Sequence, residues 1–76
     1  MGKKFEVGKF YECANFHYKP IKILHRTKKN VIVDNGDASW GARVRIDKEG
    51  DEYIQRSSKT IRYRGIETYS ADWEAI

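Results

Sequence analysis

Apolar and polar positions alternate with a period of two through much of this chain. In "IKILHR", Ile21, Ile23 and His25 share one face while Lys22 and Arg26 take the other. In "WGARVRI", Trp40, Ala42, Val44 and Ile46 oppose Arg43 and Arg45, and in "TIRYRGI" Ile61 and Tyr63 oppose Arg62 and Arg64. That period is the signature of a strand with one face turned to a core. Two further runs fit the same picture. "FEVGKFYEC" is rich in aromatic and β-branched residues, with Gly8 placed for a bulge or bend, and "VIVD" follows a bend over Thr27 to Asn30.

The punctuation between these runs is that of a β protein. Pro20 suits the first position of a strand, because it has no amide hydrogen to give to a ladder. Asn35-Gly36 predicts a type I′ hairpin turn, since both residues tolerate positive φ. "DKEGD" turns the chain again and "EYIQR" returns it. Only the tail "YSADWEAI" reads as helical, with Ser70 as its N-cap; so short a helix does not stand alone, and Trp73 would pin it to the body. The pattern predicts one all-β domain spanning 1–76, a small antiparallel SH3-like barrel of five to six strands with a short C-terminal turn or helix. An oligonucleotide/oligosaccharide-binding barrel is second, because it usually needs a longer chain and a helix between its third and fourth strands.

Composition narrows the class. A chain of 76 residues buries only about 60% of the surface it exposes when unfolded, so the core is small, and ten aromatic rings must fill much of it. The single cysteine, Cys13, forms no internal disulfide, no apolar run reaches the roughly 20 residues of a membrane helix, and the opening "MGKKFEVGKF" lacks the apolar stretch of a signal peptide. A cytoplasmic protein with no membrane partner is expected.

Charge distribution says more than the net value of +4. Between Glu12 and Asp34 there is no acid, yet Lys19, Lys22, Arg26, Lys28 and Lys29 fall there. Between Glu52 and Glu67 there is again none, against Arg56, Lys59, Arg62 and Arg64. Carboxylates gather instead around Asp47 to Glu52 and near the end of the chain. Such segregation predicts a polarised surface.

"FEVGKFYEC", "IKILHRTKKNVIVDNG", "RVRIDKEGDEYI" and a closing "TYS" follow an opening F-x-V-G-K-x-Y, a central R-T-x-K-x-V-x-V and a later R-x-x-I-x-x-x-G-x-E-Y-I. In these motifs the chain resembles small uncharacterised proteins carried by bacterial phages and mobile elements, over roughly Phe5 to Ser70. The resemblance implies a setting and no activity: a bacterial cytoplasm in which a mobile element manages nucleic acid or blunts host defences.

Catalysis is not expected. Cys13, His17 and His25 supply three metal ligands at most, where structural zinc takes four, and a cysteine at a strand end is ordinarily a small buried hydrophobe. The glycines form no phosphate-cradling run, so neither a cofactor nor a metal is predicted. His25 should be half-buried beside Ile21 and Ile23. The basic strand faces are the candidate site: Lys22 and Arg26, Arg43 and Arg45, Arg62 and Arg64 on three strands, with Lys28 and Lys29 at the hairpin tip. Phe16 and Tyr18 precede that hairpin and Trp40 opens the strand of Arg43, so rings would stand beside cations as in barrels that hold single-stranded nucleic acid. Arginine is the cation whose planar fork matches phosphate oxygens. The expected function is sequence-independent, salt-sensitive contact with the backbone of DNA or RNA. The alternative is an inhibitor of a host defence nuclease, in the manner of an anti-CRISPR protein, binding a host protein or protein–nucleic-acid complex.

Overall fold

In a computed structural model, which describes residues 2–14, 19–59 and 64–75 and the side chains of all of these but 58, 59, 64 and 65, the strands are antiparallel and belong to one sheet. They are β1 (Phe10–Cys13), β2 (Ile21–Arg26), β3 (Asn30–Asp34), β4 (Ser39–Arg43), β5 (Arg45–Ile46), β6 (Glu52–Lys59) and β7 (Arg64–Ala75). Their order is β4-β3-β2-β1-β7-β6-β5, so each strand except the pair β4 and β5 lies beside its neighbour in the chain, and β1 lies beside β7. The two strands at the sheet's edges, β4 and β5, are separated by Val44 alone. A covalent link therefore joins the edges, and the sheet curls into a nearly closed barrel.

Alternation fills its interior. Tyr11 and Cys13 of β1, Ile21 and Ile23 of β2, Val31 and Val33 of β3, Ile54 of β6, and Tyr69 and Ala71 of β7 are all buried, and Phe5 closes one end with its ring edge-on to Tyr11 at 4.9 Å. Trp40, Ala42 and Val44 pack against this core from the side of β4. The apolar faces predicted at Ile21 and Ile23 and at Trp40, Ala42 and Val44 turn inward, whereas Ile46, expected on the same face, is exposed, and Ile61 and Tyr63 lie outside the described residues.

The described residues form seven strands, above the expected five to six, because "WGARVRI" does not run straight. Its Val44 donates its amide to Lys29 O at 2.7 Å, and beyond it the chain leaves β3 and pairs with β6 through Arg45↔Tyr53 and Ile46↔Glu52. The expected C-terminal helix is also replaced. β7 continues to Ala75, and Glu74 and Ala75 pair with Tyr11 and Phe10. Between Tyr69↔Cys13 and Glu74↔Tyr11 the register shifts, so that the residues from Ser70 to Trp73 on β7 span a bulge opposite Glu12. Ser70 Oγ, the proposed N-cap, accepts the Asp72 amide at 3.1 Å within this bulge. Backbone groups that a short helix would leave exposed at both ends find partners on β1, which is why pairing wins.

The Asn35-Gly36 turn is not type I′. Gly36 has φ +94° but no non-glycine residue among the described residues has positive φ, so Asn35 does not take the geometry that turn requires. A longer loop closes on side chains: Asp34 Oδ1 accepts the Gly36 amide, and Asn35 Oδ1 accepts those of Asp37 and Ala38. No helix among the described residues is long and apolar enough to cross a membrane.

Candidate nucleic-acid interface

One register shift decides which cations face outward. β2 and β3 pair as Ile23↔Val33 and then His25↔Ile32, so Leu24 is an extra residue and the alternation of β2 inverts after it. His25 consequently lies exposed outside, not half-buried beside Ile21 and Ile23. Arg26 swings the other way, to the barrel's end. Its Nη1 donates to Glu52 Oε1 at 2.7 Å and to Phe5 O at 2.7 Å, while Nη2 donates to Glu52 Oε2 at 3.0 Å. Glu52 Oε1 also accepts the Phe5 amide at 2.8 Å. Burial pushes the Glu52 carboxyl up, but the hydrogen bonds from Arg26 and Phe5 outweigh it and hold the group below the usual carboxylate range. The same pair raises the Arg26 guanidinium further above its ordinary value. Arg26 is thus a structural residue, with its fork already filled by a carboxylate.

The remaining cations divide. Lys28 and Lys29 form the β2–β3 tip, closed by the Thr27 amide on Asn30 O at 2.8 Å. Asn30 pairs with Arg43, and Lys29 O takes the Val44 amide, so the tip sits directly beside Arg43 and Arg45 at the corner where β4 becomes β5. Lys28, Lys29, Arg43 and Arg45 are exposed and make no ion pair among the described residues. Three lysines elsewhere are partnered, Lys3 with Asp72, Lys9 with Glu6 and Glu74, and Lys19 with Asp37, whereas Lys4, Lys22 and Lys48 make no ion pair among the described residues.

Lys22 does not join this corner. It pairs with Asp34, at the far end of β3 from Asn30 and about 13 Å away along the strand, and its Nζ lies 5.8 Å from the centre of the Phe10 ring. Arg64 has its backbone in β7 opposite Lys59, with its side chain outside the described residues. Arg62, Phe16 and Tyr18 lie outside the described residues altogether, as does His17. Among the described residues, the members of the expected patch that come together are therefore Lys28, Lys29, Arg43 and Arg45, on two chain segments.

Trp40 is not a free stacking face. It is half-buried, packed on the core at 6.0 Å from the Tyr69 ring, with the Arg56 guanidinium 4.8 Å from its own ring centre. Its Nε1 is buried with no hydrogen-bond partner among the described residues. The pairing of Arg56 with Trp40 was not legible in advance, since nothing in a single sequence shows that β4 and β6 approach each other. Below Trp40, the buried Tyr69 hydroxyl donates to Glu67 Oε1 at 3.1 Å, and burial first, then the charge of Glu67, raises the phenol above its ordinary pKa.

Cys13 is buried in the core while His25 is exposed on the outer face, so the sheet separates these two possible ligands. The Asp47, Glu49 and Asp51 carboxylates lie within 4.8 Å of one another, in a turn where Asp47 Oδ1 accepts the amides of Glu49 and Asp51 at 2.9 Å each. No family model, curated protein or solved structure matches the chain.

Proposed function

We propose that this chain is an SH3-like, non-enzymatic cytoplasmic module that holds nucleic-acid backbone at the corner formed by Lys28, Lys29, Arg43 and Arg45. One observation carries this: two separate chain segments, tied by the Val44 amide on Lys29 O, gather these cations without a carboxylate partner among the described residues. Like charges set side by side repel, and an anion placed between them relieves the repulsion. Phosphate oxygens suit the two arginine forks, and the lysines add point charges. With Arg26 committed to Glu52 and Trp40 half-buried, the grip is on backbone and not on bases, so DNA and RNA are both accepted without sequence preference.

About four phosphate contacts give duplex binding a salt slope near −3.6, a loss of roughly 150-fold in affinity between 50 and 200 mM salt. A mobility shift with random single- and double-stranded oligonucleotides at these two concentrations tests this. Binding that does not respond to salt, or that survives Arg43→Glu with Arg45→Glu, overturns it.

A second reading is favoured by a different surface. Phe10, Leu24 and Ile32 are 47%, 43% and 45% exposed on the adjacent strands β1, β2 and β3. Apolar groups left in water on neighbouring strands are a feature of protein-binding faces, which fits an inhibitor of a host defence nuclease from a phage or mobile element. Affinity capture from a nuclease-treated bacterial lysate tests it: a stoichiometric protein complex supports it, and recovery of nothing but residual nucleic acid rejects it.

A further inference from the structure

The loop between β3 and β4 holds a side-chain amide against a backbone nitrogen that can attack it. Asn35 precedes Gly36, and nothing lies within 4 Å of where a Cβ on Gly36 would stand, so no side chain shields the Gly36 nitrogen. That nitrogen and the Asn35 Cγ belong to adjacent residues. A bond between them closes a five-membered ring within the chain and needs no encounter. A backbone amide is a poor nucleophile and a carboxamide a poor electrophile, so the surroundings of each decide the rate.

Both groups are activated here. The Gly36 amide donates to Asp34 Oδ1 at 2.8 Å, which sets a carboxylate within proton-transfer distance of the nucleophile. Asn35 Oδ1 accepts the Asp37 amide and the Ala38 amide at 2.9 Å each. Attack on Cγ would place negative charge on that same oxygen, and two backbone donors at this distance form an oxyanion hole for it. The Asn35 amide donates to Ala38 O at 3.1 Å and fixes the loop across which the donors reach. Gly36 and Asp37 are exposed, so water has access.

We propose that this loop is a self-modifying site, in which the folded chain converts Asn35 to aspartate and isoaspartate with water as the only co-reactant. Asp34 takes the Gly36 proton as that nitrogen bonds to Asn35 Cγ, and Oδ1 carries the charge. The intermediate expels Nδ2, which leaves as ammonia with the proton that Asp34 returns, and a succinimide remains. Water then opens the ring. Breaking the new bond between nitrogen and Cγ gives aspartate; breaking the bond between the Gly36 nitrogen and the Asn35 main-chain carbonyl carbon gives isoaspartate, with the backbone routed through Cβ and Cγ. Either product adds a carboxylate to a loop that already holds Asp34 and Asp37, next to Lys19. The site lies at the opposite end of β3 from Asn30 and does not depend on nucleic-acid binding.

The test follows residue 35 in the full chain at neutral pH, folded in buffer or unfolded in guanidinium chloride, by released ammonia and by peptide mapping that separates asparagine, aspartate and isoaspartate. The folded chain should convert about tenfold faster or more, since the unfolded chain has neither the placed base nor the oxyanion donors. Asn30, paired with Arg43 and followed by the branched Val31, should stay unconverted in the folded chain. Asp34→Ser keeps an acceptor for the Gly36 amide and removes the base, so it should slow the folded chain by about tenfold and leave the unfolded chain nearly unchanged. Folded conversion no faster than unfolded overturns the proposal, because the hydrogen bonds would then be holding Asn35 away from Gly36. So does an unchanged folded rate in Asp34→Ser, an equal slowing of both states, or conversion of Asn30 as fast as Asn35.

Discussion

Arg26 and Glu52 are joined by two parallel hydrogen bonds of 2.7 and 3.0 Å across one end of the barrel, and the carboxylate they share also receives the Phe5 amide. Both side chains are withdrawn from water, at 22% and 6% exposure. Removing the cation leaves a buried carboxylate facing its own desolvation. Arg26→Ala should therefore cost about 3 kcal/mol, measured as a fall in the urea midpoint with unchanged slope. An effect below 1 kcal/mol would show that water reaches Glu52 freely.

The same carboxylate governs the acid limb of stability. Its folded pKa lies below the unfolded value, so its contribution is complete above about pH 4.5 and is lost as pH falls through the folded pKa. Asp51, held down chiefly by the Lys3 amide on its Oδ1 at 2.8 Å, acts in the same direction. Unfolding free energy followed from pH 7 to pH 2 should decline below pH 4.5 in the native sequence. Glu52→Gln should start lower at neutral pH and decline less steeply.

For the cationic corner, single charge reversals should act through the salt slope. Arg43→Glu or Arg45→Glu should lower oligonucleotide affinity and reduce the magnitude of the slope by about one unit each. Lys22→Glu, about 13 Å along the sheet, should leave the slope nearly unchanged. Equal effects from all three would mean that only net charge matters.

Two glycines separate backbone demand from space. Gly36 has φ +94° and nothing within 4 Å of an added Cβ, so Gly36→Ala costs conformational strain alone, about 1 kcal/mol. Gly41 has ordinary φ, and its added Cβ would meet Val31 O at 3.7 Å, a normal contact. Gly41→Ala should be neutral or stabilising by about 0.5 kcal/mol, because alanine gives up less backbone freedom than glycine in a strand. Thermal melts of the two variants decide between these outcomes.

Cys13 offers a probe of local opening. At 5% exposure its thiol should react with a bulky disulfide reagent far more slowly than a free thiol, and at full speed in denaturant. Rapid reaction in native buffer would place it at a surface.

Where alternation was unbroken, as at Ile21 and Ile23 or Val31 and Val33, the inner face of the barrel could be read directly from the residues. Departures came where one residue's placement depends on a distant strand. The extra residue at Leu24 inverts Arg26, and only the carboxylate of Glu52 across the barrel explains why that inversion is stable. Val44 continues a regular apolar pattern, so nothing local marks it as the point where the chain changes partners. The tail's Ser-Ala-Asp-Trp segment has a helical composition, yet β1 supplies hydrogen-bond partners that no window on the tail alone reveals. Lys28, Lys29, Arg43 and Arg45 were legible as exposed cations, whereas their adjacency follows from the Lys29–Val44 bond.

The pairing of β1 with β7 fixes the order in which this chain can acquire its shape. The three strands β2, β3 and β4 can form hairpins as soon as they exist, but the centre of the sheet joins Phe10 to Ala75, across nearly the whole length of the polypeptide. On the ribosome, the interior must therefore wait for the last strand to emerge, with Tyr11 and Ile21 wet until then. Contacts so remote in sequence favour folding over milliseconds to seconds, and synthesis interrupted before β7 should yield a sticky, unclosed half-barrel.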